Sequence, residues 1–289
     1  MQEPFASPDA SSALLVLDAA HDEPPRLFRS TTTAQPLPTG IDAAGFSHLR
    51  CSGSAQFSAH GWDEIRAHLG DPPDLHVVDL RQESHGFLNG HAVSWYAKMD
   101  WGSVRLAHED ALALEALRLK ILDNSDEIRV GDASDIKKGR PPTFLLWKRH
   151  SVAAERDLLG LPEGRYLRLT VTDHLRPRDE VVDAFVTFAR SLRGRPHLHF
   201  HCRGGKGRTA TFMALYDMLH NAHRVAYEAI LVRQRLFGGY DLASLPADDS
   251  PKRPFIAERA AFLRQFYDFA RESSGAWTAW LTTRAQRAP

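Results

Sequence analysis

The pattern of apolar and polar positions divides the chain into strand-length and helix-length segments. Leu75–Leu80 (LHVVDL) is a short apolar, β-branched run, the pattern of a buried strand. Tyr166–Val171 and His197–His201 read the same way, and Thr143–Trp147 is a further strand-like piece. Between them lie helical patterns. Ser58 caps a helix that runs to Leu69 and is ended by Gly70 and Pro72–Pro73. Over about Glu109–Leu122, residues Ala111, Leu112, Leu114, Leu117 and Ile121 predict an apolar stripe, and Val182, Phe185, Val186 and Ala189 predict another over about Asp179–Leu192. Arg208–Leu219 is nearly all apolar, so that helix must be buried on every side. Helices at about Val225–Arg235 and Pro254–Glu272 complete the pattern, with Phe262, Phe266, Phe269, Trp277 and Trp280 assigned to the core. Strands alternate with helices, which predicts an α/β fold with a central sheet and no internal repeat.

Two stretches break this pattern. Residues 1–45 are rich in Pro, Ser, Thr and Ala, which predicts at most one short strand near Leu27–Phe28 and a loose arm over residues 1–25. In residues 125–160, turns at Gly131 and Gly139–Pro142 separate short strand-like pieces, which predicts a small β-rich insertion within a domain spanning 26–289. The apolar stretch Ala13–Ala20 holds Asp18 and lacks a basic start, so it is a poor signal peptide. No apolar run approaches the ~18 residues of a membrane span.

Composition narrows the function. The 289 residues carry 36 Lys+Arg against 36 Asp+Glu, a balance that disfavours a nucleic-acid coat or a polybasic membrane anchor. Any basic site must therefore be a local concentration of charge. The two cysteines, Cys51 and Cys202, make no disulfide framework, and no CxxC pair or Cys/His cluster suggests zinc. The scattered histidines form no ligand set, so neither metal nor cofactor is expected. Cys51 reads as an ordinary, partly buried thiol, with a redox partnership to Cys202 as the alternative.

The chemistry concentrates in His201-Cys202-Arg203-Gly204-Gly205-Lys206-Gly207-Arg208-Thr209, between a buried strand and a buried helix. Glycines let backbone amides turn inward, and amides converging at a helix N-terminus bind anions. A cysteine at the mouth of such a cradle ionises readily, and an arginine can fork onto two oxygens of a phosphoryl group. A bare C-x5-R is a weak signal, and a small buried cysteine beside a glycine turn is the plain alternative. The flanking His201 and Thr209 and the strand–loop–helix setting favour a phosphate loop. A Walker loop is excluded because the G-x4-GK spacing is missing. A thiolate that displaces an alkoxide needs a proton donor, and Asp173, about thirty residues upstream at the end of another strand, is the candidate. Capping the helix near Asp179 is its alternative role. His174 could orient the acid or bind substrate. In the Asp79–His85 segment, Glu83 could pair with a loop arginine and hold the cradle, while Arg81 could do no more than cap the strand end.

With these residues in place, the chain resembles the bacterial phytases of the protein tyrosine phosphatase-like class, also called cysteine phytases or myo-inositol phosphate phosphatases. The likeness runs from about Pro25 to Leu281. It is carried by Arg26-Leu27-Phe28-Arg29, Asp79-Leu80-Arg81-Gln82-Glu83-Ser84-His85-Gly86, Asp100-Trp101, Thr172-Asp173-His174, the Cys202 loop and Gly238-Gly239. The resemblance implies a central sheet flanked by helices, with a partial barrel built in part from 125–160. It implies Cys202 as nucleophile, Arg208 as phosphate clamp and Asp173 as acid, without a metal. It places substrate contacts at Arg29, Asp100, His174, Lys252 and Lys137 or Lys138, besides Arg203, Gly204, Gly205, Lys206 and Gly207 of the loop. His201 and Thr209 join the catalytic set, Thr209 as a hydrogen-bond donor to the thiolate. The implied partner is a small inositol polyphosphate, with no nucleic acid and no membrane span. The family points to a periplasmic or exported setting, while this chain alone leaves a cytoplasmic one open. Oligomeric state is not legible. Alternatives sharing the loop are a phosphotyrosine or phosphoinositide phosphatase and a silent inositol-phosphate-binding module. A sulfurtransferase loop would leave Asp173 without a role.

Overall fold

Two sheets organise the chain in the computed structural model, which describes residues 13–33, 36–238 and 240–287. The strands are β1 (Leu14–Ala19), β2 (Arg29–Ser30), β3 (Cys51–Ala55), β4 (Leu75–Asp79), β5 (His85–Leu88), β6 (His91–Tyr96), β7 (Glu127–Gly131), β8 (Phe144–Lys148), β9 (Val152–Ala153), β10 (Tyr166–Arg168) and β11 (His197–Cys202). The helices are α1 (Ala59–Leu69), α2 (His108–Asp123), α3 (Ala133–Lys137), α4 (Glu155–Leu159), α5 (Asp179–Ser191), α6 (Gly207–Asn221), α7 (Tyr227–Gly238), α8 (Arg253–Glu272) and α9 (Trp277–Arg287).

The first sheet has the order β10-β4-β11-β3-β2 and is parallel except at the β2 edge. Both faces are covered, which is why β11 and β4 are buried along their whole length. Val78, Leu80, Leu198, Phe200 and Cys202 face a core with Phe185, Phe212, Met213, Phe262 and Phe266 of α5, α6 and α8. Leu75 and Val77, of opposite parity, meet Phe57, Trp62, Ile65 and Phe87. The carboxyl ends of β3, β4, β10 and β11 lie along one edge, where ligands bind in open α/β sheets. Their following loops position the site.

The second sheet has the order β8-β7-β1-β6-β5-β9. Segment 125–160 supplies both of its edge strands, with only residues 149–151 between them. Asn89, in the β5–β6 turn, ties that link down by accepting from the amides of His150 at 2.7 Å and Ser151 at 3.1 Å. The sheet therefore curls, although no ladder joins β8 to β9 among the described residues.

Several expectations change. Leu14–Ala19 is not a loose arm but a strand inside the second sheet, paired antiparallel with β6 from Leu14↔Tyr96 onward; residues 1–12 of the expected arm lie outside the described residues. The short strand nearby is Arg29–Ser30 rather than Leu27–Phe28. On α2 the expected stripe is turned: Leu117 and Ile121 are 56% and 55% exposed. Of the expected stripe Ala111 does face inward, but its buried companions are Glu115, Arg118, Leu119 and Leu122. The cause is ionic, because Glu115 pairs with Arg168 at 3.1 Å and accepts from the His85 amide at 2.9 Å. A third C-terminal helix, α9, follows the two expected ones. Trp277 packs on Phe262, Phe266 and Phe269, and its amide and indole N–H groups donate to Asp183 and Asp179.

Candidate active site

Strand β11 delivers Cys202 to the carboxyl edge of the parallel sheet, and α6 begins five residues later at Gly207. Cys202 is 2% exposed, at the bottom of the loop, and Thr209 Oγ1 lies 3.2 Å from its Sγ. Gly205 has a φ of 65°, and a Cβ there would stand 2.4 Å from the Ala55 amide nitrogen, so the loop rests directly on β3. Gly204 and Lys206 are exposed at the rim. Strand alternation sends His201 to the other face, where its Nε2 lies 2.7 Å from Glu155. His201 is thus a support behind the loop and does not reach a phosphate.

Arg208 is held from three sides. Its two terminal nitrogens meet Glu83 at 2.7 and 2.9 Å, NH1 also donates to the Val171 carbonyl at 3.1 Å, and Nε lies 3.2 Å from Asp173 Oδ1. Burial alone would raise the Glu83 carboxyl, yet Arg208 and Arg81 pull it down to about 2. The expected pairing of Glu83 with a loop arginine is therefore present. Arg81 does more than cap a strand: fully buried, it bridges Glu83 at 2.9 Å and Asp18 at 2.9 Å. Asp18 in turn meets Arg203 at 2.7 Å, and Arg203 meets Asp100 at 3.1 Å while lying over the Tyr96 ring. Acid and base thus alternate from Asp100 through Arg203, Asp18, Arg81, Glu83 and Arg208 to Asp173.

This arrangement places the other expected residues. The guanidinium of Arg203 is committed to Asp18 and Asp100 instead of standing free. Asp100 borders the loop, and burial pushes its carboxyl up to about 6, against the pull of Arg203 and with Glu83 and Asp173 adding to the rise. His174 Nε2 is 3.3 Å from Asp173, and burial pushes its imidazole down. Lys252 immediately precedes α8, close enough for its charge to bear on His174. Arg29 is buried against Gly238 and acts electrostatically on Cys202. Its NH2 has no hydrogen-bond partner among the described residues, and burial brings it down to about 10. Lys138 is exposed at the end of α3, with no bond to the loop among the described residues. Asp18 was missed by sequence reading, and a lone charge within the apolar run Leu14–Ala19 was its only signal. Cys51 pairs with Leu198, four positions along β11 from Cys202, or roughly 13 Å at strand rise, which separates the two thiols. Burial pushes the Cys51 thiol up to about 12.

The loop floor is fixed by a directional chain. Ser54 Oγ donates to the Ala55 carbonyl at 2.7 Å, so it must accept from His199 Nε2 at 3.1 Å. His199 Nδ1 is then the acceptor for Ser52 Oγ at 2.9 Å, and Ser52 accepts from His197 Nε2 at 3.0 Å. His199 must be neutral for this order, and burial pushes it well down, as it pushes His197 down to about 4. Beside them Asp79, Glu155 and His201 cluster closely enough to hold a cation. Asp79 is already neutralised by Arg168 at 2.9 Å and His85 at 3.1 Å. For His85, burial and Arg168 oppose the charge, yet Asp79 and Glu115 help carry it up to about 9.

These opposite shifts predict a stability maximum near pH 6.5. The contribution of His85 is full below its ordinary value of 6.5 and is lost as pH rises through 9. That of His197 is full above 6.5 and is lost as pH falls towards 4. Each amounts to roughly 3 kcal/mol at full extent. Denaturant midpoints from pH 4 to 9 should trace this maximum, and His85→Gln should flatten the alkaline side.

A protein tyrosine phosphatase-like phytase family model, described by inositol hexakisphosphate, matches residues 78–220. The chain is 35% identical over 262 residues to effector protein hopD2 of Pseudomonas syringae pv. tomato, covering 88% of this chain and 56% of that protein. Its fold is similar to the PTP-like myo-inositol phosphatase of Mitsuokella multacida, solved in complex with myo-inositol-(1,3,4,5)-tetrakisphosphate. The TM-score is 0.87 at 30% identity, over 99% of this chain and 50% of that one. The chain thus spans about half the length of these two relatives. Against a PTP-like phytase from Bdellovibrio bacteriovorus the TM-score is 0.77 at 36% identity, over 98% of both chains. A loop of this construction, in a fold matched along its whole length, makes the chain a member of the protein tyrosine phosphatase-like phytases, a family of cysteine-dependent phosphatases.

Proposed function

We propose that this chain hydrolyses phosphate monoesters of myo-inositol hexakisphosphate and lower inositol phosphates through a cysteinyl-phosphate intermediate. The observation that carries the reading is the convergence of three groups at one sheet edge: the Cys202 sulfur, the Arg208 fork and the Asp173 carboxyl, 3.2 Å from Arg208 Nε. A phosphate in the loop takes over Arg208 Nε and frees Asp173 to face the leaving oxygen. The Cys202 thiolate attacks phosphorus in line, the S–P bond forms as the P–O bond to the ring breaks, and Asp173 gives its proton to the departing alkoxide. Water then attacks phosphorus, losing its proton to Asp173, and the sulfur leaves as thiolate with Thr209 donating to it. Loop amides and Arg208 hold the equatorial oxygens throughout. On this reading β1 belongs to the catalytic unit, because Asp18 steadies Arg203 and Arg81.

His174, Lys252 and the buried Arg29 suit a compact polyanion bearing several phosphates. The test is phosphate release from inositol hexakisphosphate set against a phosphotyrosine peptide. The expected result is a kcat/KM at least about tenfold higher for the inositol phosphate. A preference for the peptide would make the chain a protein phosphatase with the same loop.

A further inference from the structure

The two loops flanking the phosphate loop meet at a polar contact. Trp101 donates its indole N–H to the Asp173 carbonyl oxygen at 3.0 Å, and its ring packs edge-on against Phe255 of α8 at 5.4 Å. Both partners stand beside strained backbone. Met99 and Asp100 have φ of 66° and 63°, and His174 has φ of 70°, the left-handed region that a side chain with a Cβ occupies at a cost. The accepting carbonyl belongs to the peptide that enters His174, so its plane determines where the Asp173 side chain leaves the loop. Inside the loop, the Leu175 amide reaches the Thr172 carbonyl only at 3.4 Å. Thr172 Oγ1 donates laterally to Gln82, and the Asp173 carboxyl itself lies against Arg208 Nε.

We propose that Trp101 is a positioning residue for proton transfer: its indole N–H fixes the Asp173–His174 peptide and so aims the Asp173 carboxyl over the phosphate loop. The inference rests on Asp173 being the acid. It makes the 98–101 segment part of the catalytic geometry without any contact to the reacting atoms.

Trp101→Phe tests it by keeping an aromatic ring against Phe255 and removing the donor. Loss of one neutral hydrogen bond at this point should lower kcat for inositol hexakisphosphate, whose alkoxide needs a proton, about five- to tenfold. KM should hold, and kcat for nitrophenyl phosphate, a good leaving group, should stay within about twofold. Equal slowing of both substrates, an effect on KM alone, or no effect would overturn the proposal. Asp173→Asn run in parallel separates the two readings. If Asp173→Asn discriminates between the substrates and Trp101→Phe does not, the positioning role fails alone. If Asp173→Asn does not discriminate, the acid assignment fails first. Should Trp101→Phe fold poorly, benzothienylalanine at position 101 replaces the N–H by sulfur in the same ring shape, with the same outcomes deciding.

Discussion

Cys202→Ser should bind inositol hexakisphosphate and release no measurable phosphate from it. The substitution exchanges sulfur for a smaller oxygen at a site that is already buried, and Thr209 Oγ1 at 3.2 Å can still hydrogen-bond to the new hydroxyl. The loop keeps its shape because that shape is set elsewhere: Gly205 lies on the β3 backbone, and Arg208 is gripped by Glu83. Anion binding, which needs amides and the guanidinium, survives. Chemistry does not, since a serine hydroxyl is a far weaker nucleophile near neutral pH than a thiolate. A loss of more than about 10³-fold in kcat is expected, with a dissociation constant by calorimetry within a few-fold of the unmodified protein. Substantial phosphate release by Cys202→Ser would remove the covalent mechanism.

Asp173→Asn should separate substrates by their leaving groups. A positioned acid is worth on the order of 10²–10⁴ in rate, and most of that is realised when the departing oxygen is a poor leaving group. An inositol alkoxide is poor and a nitrophenolate is good. Hydrolysis of inositol hexakisphosphate should therefore fall by about two orders of magnitude or more, while nitrophenyl phosphate loses much less. Binding should change little or tighten, because the carboxylate beside Arg208 Nε competes with phosphate for the same donor. Equal slowing of both substrates, or weaker binding alone, would make Asp173 a substrate contact and turn attention to Asp100, whose buried carboxyl stands at about 6 on the other flank of the loop.

How far the site could be read in advance depended on how local its signals were. The phosphate loop was legible because strand, glycines and helix start are consecutive, so spacing alone fixes their mutual geometry. Ser58, Gly70 and the aromatic stripe of α8 were legible for the same reason, since caps and helical periodicity act within a few residues. Asp173 was legible as a candidate acid by its place after a strand, although its 3.2 Å approach to Arg208 was not. The α2 stripe was misread because hydrophobicity was taken to decide which face turns inward. Glu115 and Arg118 turned it, and their partners Arg168 and Ser84 lie 53 and 34 positions away. The opening segment was misread in the same way, since its pairing partner β6 begins more than seventy residues later.

By itself, the sequence determined the α/β class and the strand–glycine loop–helix setting of Cys202, and it named the candidate nucleophile, clamp and acid. Tertiary structure decided what each charge does. It made Asp18 a link between Arg203 and Arg81, withdrew the Arg203 guanidinium from open solvent, turned His201 away from the loop and set the Trp101 indole against the Asp173 carbonyl. The physical reason is that backbone propensity and turn chemistry are settled by neighbours in the chain. A charge in a low-dielectric interior is settled by whichever opposite charge folding brings within a few ångströms, and no spacing in the sequence encodes that distance.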